Sequence, residues 1–409
     1  MKMADVNEQL IIASQAFTNQ DYFVAEAAYK QILKTHPHSA DVINNLAAVY
    51  NATRREDKAL ALFKKSARLN PSNPITQSNL GTILLKLGKP KSALHHLNLA
   101  LKLNPQDEEA NFYMGVYCHS HKLDNARYYY EKTLQSNPRH LEALNNLAIW
   151  YAQSGHFPAA FKLFRQALQV NPLFGPTLAH YAYQLKHACQ WEDLPQIEKQ
   201  LDSLQKTQVF EEPMMSIIRH ADPRENFRIA KWWSEKFKPP QKAGHRLTPS
   251  KKISIGFVSD GFRDFPTAHN LVGVLENLDK SKFKVFLYHL GPSDNSIWAR
   301  RINKAVPRQT DLTSLDDHQA AQIIIRDKIE ILVDLKGYLL GNRIGIFARR
   351  PAPIQISYLG FPGTTGAGFL DYIIADKTVI PETEHKYYSE KVLYLPDSYR
   401  PTDNGFFLS

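Results

Sequence analysis

Residues 349–376 read RRPAPIQISYLGFPGTTGAGFLDYIIAD. The stretch holds an extended apolar run (IQISYL), a glycine-rich turn (GFPGTTGAG) and a second apolar run (DYIIAD). Pro351 and Pro353 restrict φ and bias their neighbours to extended geometry. Gly360, Gly363, Gly366 and Gly368 permit positive φ and let a ligand approach the backbone closely. The layout predicts strand, wide glycine loop, strand. In open α/β sheets ligands bind beyond the carboxyl ends of the strands, where such a loop falls. A plain turn fits the spacing equally, because an isolated glycine-rich loop is a weak signal.

The flanking sequence extends the same pattern. ISIGFVS (253–259), FKVFLYHL (283–290), IEILVDL (329–335) and KVLYLP (391–396) are further candidate strands. PTAHNLVGVLENL (266–278) and HQAAQIIIRDK (318–328) are candidate helices. Alternating β and α predicts a mostly parallel, doubly wound sheet, a Rossmann-like lobe over residues 251–409. Neither a Walker A sequence nor a GxGxxG fingerprint is present, so kinase, ATPase and nicotinamide chemistry are unsupported.

Upstream, residues 191–250 read as a helical connection. WEDLPQIEKQLDSLQKT and DPRENFRIAKWWSEKF are amphipathic, and Asp222-Pro223 supplies an N-cap followed by a favoured first helical residue. Trp232 and Trp233 are expected to dock these helices on the sheet. FKPPQKAGHRLTPSKK (237–252) is a Pro- and Lys-rich linker, the expected first site of proteolysis.

Residues 1–190 carry a repeat. Pro37, Pro71, Pro105, Pro138 and Pro172 are spaced 34, 34, 33 and 34 apart, and Ala25, Ala59, Ala93, Ala126 and Ala160 follow the same steps. Small residues recur at Ala47, Gly81, Gly115, Ala148 and Ala182. This period and pattern define the tetratricopeptide repeat. The small residue lets the first helix of a pair approach the second, and the proline ends the second helix. The 33-residue step falls in the turn CHSHKLDNA, where a deletion does least damage. Five repeats are clear. A sixth starts near Leu173 and degrades after Trp191, as expected of a terminal repeat.

The chain has 409 residues, with 43% hydrophobic and 22% charged residues, ordinary for a globular protein. No apolar run approaches the ~20 residues that span a bilayer, and no signal-peptide core opens the chain. The expectation is a cytoplasmic protein without membrane partners. Net charge is +10. Acidic residues interleave with the basic ones and no basic–aromatic run occurs, so nucleic acid is not an expected partner. An affinity for acidic partners or a nucleotide phosphate stays open. Cys118 and Cys189 are read as reduced, buried helical residues. The histidine pairs lack the companions of a metal site, so no metal is expected.

The RPAPIQ run leading into GFPGTTG, together with the repeats, closely resembles the protein O-GlcNAc transferase family, from about Ile253 to Asp397. The resemblance implies a two-lobed GT-B type glycosyltransferase, of which this chain holds the repeats and the first lobe. It implies transfer of N-acetylglucosamine from UDP-GlcNAc to Ser or Thr of proteins, with no cofactor and no required metal. By the same resemblance Asn45, Asn79 and Asn146 form an asparagine ladder that grips extended peptide substrates in the repeat groove, and Tyr113 interrupts it. An amide offers both donor and acceptor to a peptide backbone. Leu359 and Gly360 are implied to line the sugar pocket and Pro362 to lie near the acceptor. A missing side chain at Gly360 leaves room for a sugar ring. DLKGYLLGNR matches the family pattern N-x-x-G-Y-x-x-G-x-R except that Asp334 replaces Asn. Arg343 either faces an anionic ligand in the donor pocket or makes a salt bridge at a helix start.

Two departures limit the implied activity. Phe265 stands where the family carries a histidine facing the reaction site, so no catalytic residue is assigned with assurance. His269 matches a second, less constant histidine and either faces the site or packs in its helix. Only 33 residues follow Asp376 (409 − 376), too few for a second lobe, which in the family holds most of the nucleotide sugar. The isolated chain is therefore expected to be weak or inactive unless a separate second-lobe polypeptide completes it. A non-catalytic peptide-binding adaptor and a transferase of another sugar, such as fucose, remain as alternatives.

Overall fold

The 34-residue register becomes helix pairs. A computed structural model describes residues 3–237 and 251–403. In it α1 (Met3–Thr18) pairs with α2 (Tyr22–Thr35), α3 (Ala40–Ala52) with α4 (Glu56–Leu69), and α5 (Pro74–Lys86) with α6 (Pro90–Leu103). Next α7 (Glu108–Ser120) pairs with α8 (Ala126–Ser136), and α9 (Leu141–Gln153) with α10 (Phe157–Val170). Each pair turns through a residue of positive φ: Gln20, Arg54, Gly88, Lys122 and Gly155. The next amide then bonds back across the helix end, as Arg55 N does to Tyr50 O and His156 N to Tyr151 O, both at 2.8 Å.

Close approach explains the small residues. A Cβ at Gly81 would lie 2.6 Å from Leu97 Cγ, and one at Gly115 would lie 2.7 Å from the Tyr130 ring. The turn residues also locate the one-residue deletion. Gly88 to Lys122 is still 34, so the loss falls between Lys122 and Ala126. Its cost is the first turn of α8, which has 11 residues where α2, α4, α6 and α10 have 14.

The same turn position holds Cys189, with φ +53. It lies beyond α11 (Gly175–His187) and is exposed, which corrects the expectation of a buried helical thiol. Cys118 is buried as expected, and burial raises its thiol pKa.

The contacts divide the chain between Gln184 and Leu185, within α11. The second unit opens with α12 (Leu194–Gln205), α13 (Pro213–Arg219) and α14 (Pro223–Ser234). Asp222 caps α14 by accepting from Arg224 N at 2.9 Å. The Arg219 guanidinium chelates the buried Glu211, and Trp233 Nε1 donates to the Glu211 carbonyl. Burial opposes ionisation of Glu211, but hydrogen bonds from His220 and Arg219 outweigh it and hold the carboxyl at about 2. Trp233 packs on the sheet core as expected, and Lys236 Nζ lies over both rings, 3.2 Å from that of Trp233 and 4.3 Å from that of Trp232. Residues 238–250 of the expected linker lie outside the described residues.

The sheet has seven parallel strands: β1 (Ile253–Ser259), β2 (Phe283–His289), β3 (Gln309–Asp311), β4 (Ile331–Asp334), β5 (Ile354–Ser357), β6 (Tyr372–Ala375) and β7 (Lys391–Tyr394). Their order is β3-β2-β1-β4-β5-β6-β7. Alternate residues feed opposite faces. Phe257, Leu287 and Val333 join one core with α15 (Pro266–Asn277) and α16 (Ile297–Ala305). Val258, Tyr288 and Leu332 join the other with α17 (Asp317–Arg326), α18 (Ile344–Ala348), Ile217 and Trp233. Helix α16 and the three-residue β3 were not among the sequence expectations. The fold is thus an α-solenoid of tetratricopeptide repeats followed by a Rossmann-like α/β lobe. No helix among the described residues is long and apolar enough to cross a membrane.

Candidate functional site

The chain runs β1-β2-β3 toward one edge and returns beside β1 with β4 to build toward the other. The carboxyl ends of β1 and β4 therefore frame a topological switch point, where open α/β sheets bind ligands. Ser259 and Asp260 leave β1 there; Asp334, Leu335 and Lys336 leave β4.

An ion pair between a buried lysine and a half-buried aspartate crosses the switch point. Lys336 Nζ lies 2.6 Å from Asp260 Oδ2, and the lysine side chain is only 6% exposed. Asp334, 3% exposed, accepts from Lys336 N at 2.9 Å. Burial pushes its carboxyl pKa up to about 6, against the backbone amides of Lys336 and Gly337 and the Lys336 charge. A polar cluster of this kind can position charged or hydroxyl-bearing groups. Asp260 and Lys336 were not named from sequence, although they lie one and two residues past strand ends.

The glycine loop lies beside this cluster. Leu359 has φ +71, and Gly360 N closes a tight turn on Tyr358 O at 2.8 Å. The space a Cβ would occupy at Gly360 is filled by the Leu335 carbonyl, with Lys336 Cα next to it. The glycine thus makes room for backbone of the neighbouring strand end. This corrects the argument that the missing side chain leaves space for a sugar ring. At Gly363 the space is taken by Ile217, and at Gly366 (φ +64) by the backbone of Ala230 and Lys231 in α14. Ser234 Oγ in α14 donates to Gly366 O at 2.7 Å.

Buried Glu390 holds the centre of the loop. It accepts from Thr364 Oγ1 and Thr365 N, each at 2.7 Å, and from Thr365 Oγ1. Gly366 N donates to Thr364 Oγ1 at 3.1 Å. Tyr338 OH donates to Thr365 O at 2.9 Å, and Phe361 meets the Tyr338 ring edge-on at 5.5 Å. The loop is preformed, and several of its amides are already bonded within the chain. Pro362 is exposed.

Phe265 is the N-cap residue of α15, and its ring lies against Gly261, just past β1, beneath the Arg263 guanidinium. His269, one turn on, has Nε2 2.7 Å from Asp264 Oδ1 and its ring 4.4 Å from that of Trp298. Arg343 makes the salt bridge of the second sequence alternative. Its Nε lies 2.6 Å from Asp317 Oδ1 at the start of α17, and its Nη groups donate to the Leu312 and Leu315 carbonyls. The structure therefore brings the β1 loop, the β4 loop and Gly360 together, and ties Arg343 to α17.

In the repeats, α3, α5, α7 and α9 pack successively on one another as well as on their own partners, so the first helices form one continuous layer. Asn45, Asn79 and Asn146 lie on it, each half-buried. Buried neighbours orient them. Asn44 donates to Asn45 Oδ1 at 3.4 Å and accepts from Asn79 Nδ2 at 3.1 Å; Asn145 donates to Asn146 Oδ1 at 3.2 Å. Among the described residues nothing engages Asn45 Nδ2 or Asn79 Oδ1. Tyr113 is half-buried, and burial pushes its hydroxyl pKa up to about 12. The sequence reading missed that the next register position is His180, whose pKa burial lowers to about 4. Counting one further period from Asn146 finds it.

Comparison with known proteins agrees with both halves. Residues 228–407 match glycosyl transferase family 41, and residues 12–74, 54–111 and 112–172 match tetratricopeptide repeat families. The Arabidopsis thaliana protein named "Probable UDP-N-acetylglucosamine--peptide N-acetylglucosaminyltransferase SEC" is 33% identical over 240 residues, covering 54% of this chain and 25% of that protein. The UDP-N-acetylglucosamine–peptide N-acetylglucosaminyltransferase of Caenorhabditis elegans is 35% identical over 159 residues, 39% of this chain and 14% of that protein. The chain thus spans a quarter or less of the length of these two relatives. A solved O-GlcNAc transferase of Thermobaculum terrenum is 20% identical, covering 98% of this chain and 60% of that chain, with a TM-score of 0.45.

Proposed function

We propose that this chain, which resembles the O-GlcNAc transferases in its repeats and in its glycosyl transferase family 41 segment, supplies the substrate-recruiting and acceptor-side parts of a protein O-glycosyltransferase. The observation that carries the reading is the preformed loop at the β1–β4 switch point, inside the family-matched residues. In the proposed reaction a Ser or Thr hydroxyl oxygen bonds to the anomeric carbon of UDP-N-acetylglucosamine. The bond from that carbon to the diphosphate breaks, UDP departs with the electron pair, and the hydroxyl proton passes to a base. Leu359 and Gly360 border the sugar, Pro362 borders the acceptor, and Asn45, Asn79 and Asn146 hold the extended substrate. The 409-residue chain by itself is proposed to be a poor catalyst. Phe265 can neither donate a hydrogen bond nor move a proton, and Arg343 is engaged by Asp317. Those two observations also favour the second reading, a peptide-binding adaptor.

Calorimetry with UDP-N-acetylglucosamine and a radiolabelled transfer assay on Ser/Thr-rich peptides test the proposal. The expected result is little donor binding or turnover by the chain alone, with binding of extended peptides retained; turnover restored by an added donor-lobe polypeptide would identify the chain as one part of a split transferase. Asn45→Ala plus Asn79→Ala should weaken binding of extended peptides roughly tenfold, as loss of about 1–1.5 kcal/mol of hydrogen bonding predicts. Micromolar donor binding and steady turnover by the purified chain would overturn the poor-catalyst reading. Unchanged peptide binding in the double variant would overturn the groove assignment. Peptide binding that persists with no turnover under any pairing would favour the adaptor.

A further inference from the structure

A concavity of ≈ 360 Å³ lies at the opposite end of the sheet from the switch point. It is built around the amino ends of β1 and β2, the last turn of α15 and the passage from α16 to β3. Lys252, Lys280, Lys284, Lys304 and Arg308 line it, no lining residue is acidic, and its floor is apolar around Leu278. Nearby carboxylates are held chiefly by other groups, although Glu276 also feels the Lys304 charge. Glu276 is held by Arg301 at 2.7 and 2.9 Å, and Asp279 by Ser281 Oγ at 2.5 Å and Lys282 Nζ at 3.6 Å. Among the described residues Lys280, Lys284, Lys304 and Arg308 make no ion pair. Lys284 and Arg308 are gathered over one ring, that of Phe286, at 4.8 and 5.9 Å. Lys252 Nζ donates to the Lys280 carbonyl at 2.7 Å, which joins the start of β1 to the loop that precedes β2.

Like charges crowded around a concavity repel one another and create a positive potential that an anionic partner relieves. We propose that this cleft docks an acidic peptide segment that places one aliphatic side chain on the floor and carboxylates against the rim. The apolar floor disfavours a free phosphate, which leaves it wet. Phe283 is the one aromatic residue of the lining, which disfavours single-stranded nucleic acid, whose successive bases stack on several aromatic side chains. The cleft is remote along the strands from the β1–β4 switch point, so its occupancy is independent of the transferase reading.

Fluorescence anisotropy of a short labelled peptide of Glu and Asp around a central Leu tests the proposal on the full chain. Binding should weaken steeply between about 50 mM and about 300 mM salt. Lys280→Glu plus Lys304→Glu should weaken it at least about tenfold, while Lys162→Glu plus Lys199→Glu, a control of equal net charge, should change it less than about twofold. Circular dichroism checks that both variants are folded. Equal loss in both double variants would overturn the proposal in favour of diffuse attraction. Replacing the peptide Leu by Gly without loss of affinity would overturn the role of the floor. Tighter binding of oligothymidine or of phosphatidylserine vesicles, with the same sensitivity to Lys280 and Lys304, would overturn the peptide assignment. Binding of a second copy of this chain through the cleft, read by sedimentation, would overturn a separate partner.

Discussion

Glycine serves opposite ends in the two units. In the repeats, the space beside Gly81 is filled by the side chain of Leu97, and that beside Gly115 by the ring of Tyr130. Side chains can shift, and the equivalent position holds alanine at Ala47, Ala148 and Ala182. In the lobe, the space beside Gly360 is filled by the Leu335 carbonyl, and that beside Gly366 by the backbone of α14. Backbone held by a sheet and by a helix packed on it has little freedom to shift. The comparison teaches that a repeat tolerates variation because each contact is local and reproduced in its neighbours, whereas the loop is a single place where three elements meet.

The sharpest way to break this contrast is Gly366→Ala. The substitution adds strain at φ +64 and overlaps the α14 backbone. It should destabilise the second unit by about 4 kcal/mol. Hydrogen-exchange mass spectrometry should show lost protection in β5, β6 and α14 and normal protection in α3 to α10. Equal loss in both units, or none, would remove the distinction.

Next in size is the pH response of the switch point. The Asp334 carboxyl is raised to about 6 from the ordinary 3.8. The native state therefore binds more protons than the unfolded state between those values, so stability falls as pH rises through that window and levels off above it. A shift of this size corresponds to about 3 kcal/mol. Asp334→Asn should abolish that loss, so that the variant is more stable than the parent at neutral pH and the gain fades toward pH 4. Denaturant melts across the window, read by a probe in the lobe, would show it. A parent and variant that change in parallel would exclude Asp334 as the titrating group.

The smallest effect expected is that of Gly81→Ala. Better helix propensity gains up to about 1 kcal/mol, and repacking of Leu97 offsets part of it. The first unit should keep its stability within about 1 kcal/mol. A loss as large as that of Gly366→Ala would show that the repeats are as intolerant as the loop.

The repeats were legible because each contact lies within one period and recurs; prolines, alanines and small residues announce it at several positions at once. Even the deletion could be confined to one turn, and its effect on α8 followed. His180 was reachable by the same count. The sheet was legible where buried strands are continuous apolar runs. It was not legible at β3, with three residues, or at α16, whose sequence IWARRINKA interleaves charge with a narrow apolar stripe.

The lobe site was less readable, for a physical reason that separates sequence from tertiary structure. By itself the sequence determined the period, the alternation of strand and helix, and the places where glycine is required, since these depend on local spacing and on φ. Only the tertiary structure decided what each glycine faces, because Gly360 meets Leu335 and Gly366 meets Lys231 across long chain separations. It likewise decided that Asp260 and Lys336, 76 residues apart, form one ion pair (336 − 260), because strand order places β4 beside β1. Arg343 shows the same limit: one motif served two roles on paper, and the neighbour that arrived, Asp317, came from a helix start 26 residues upstream.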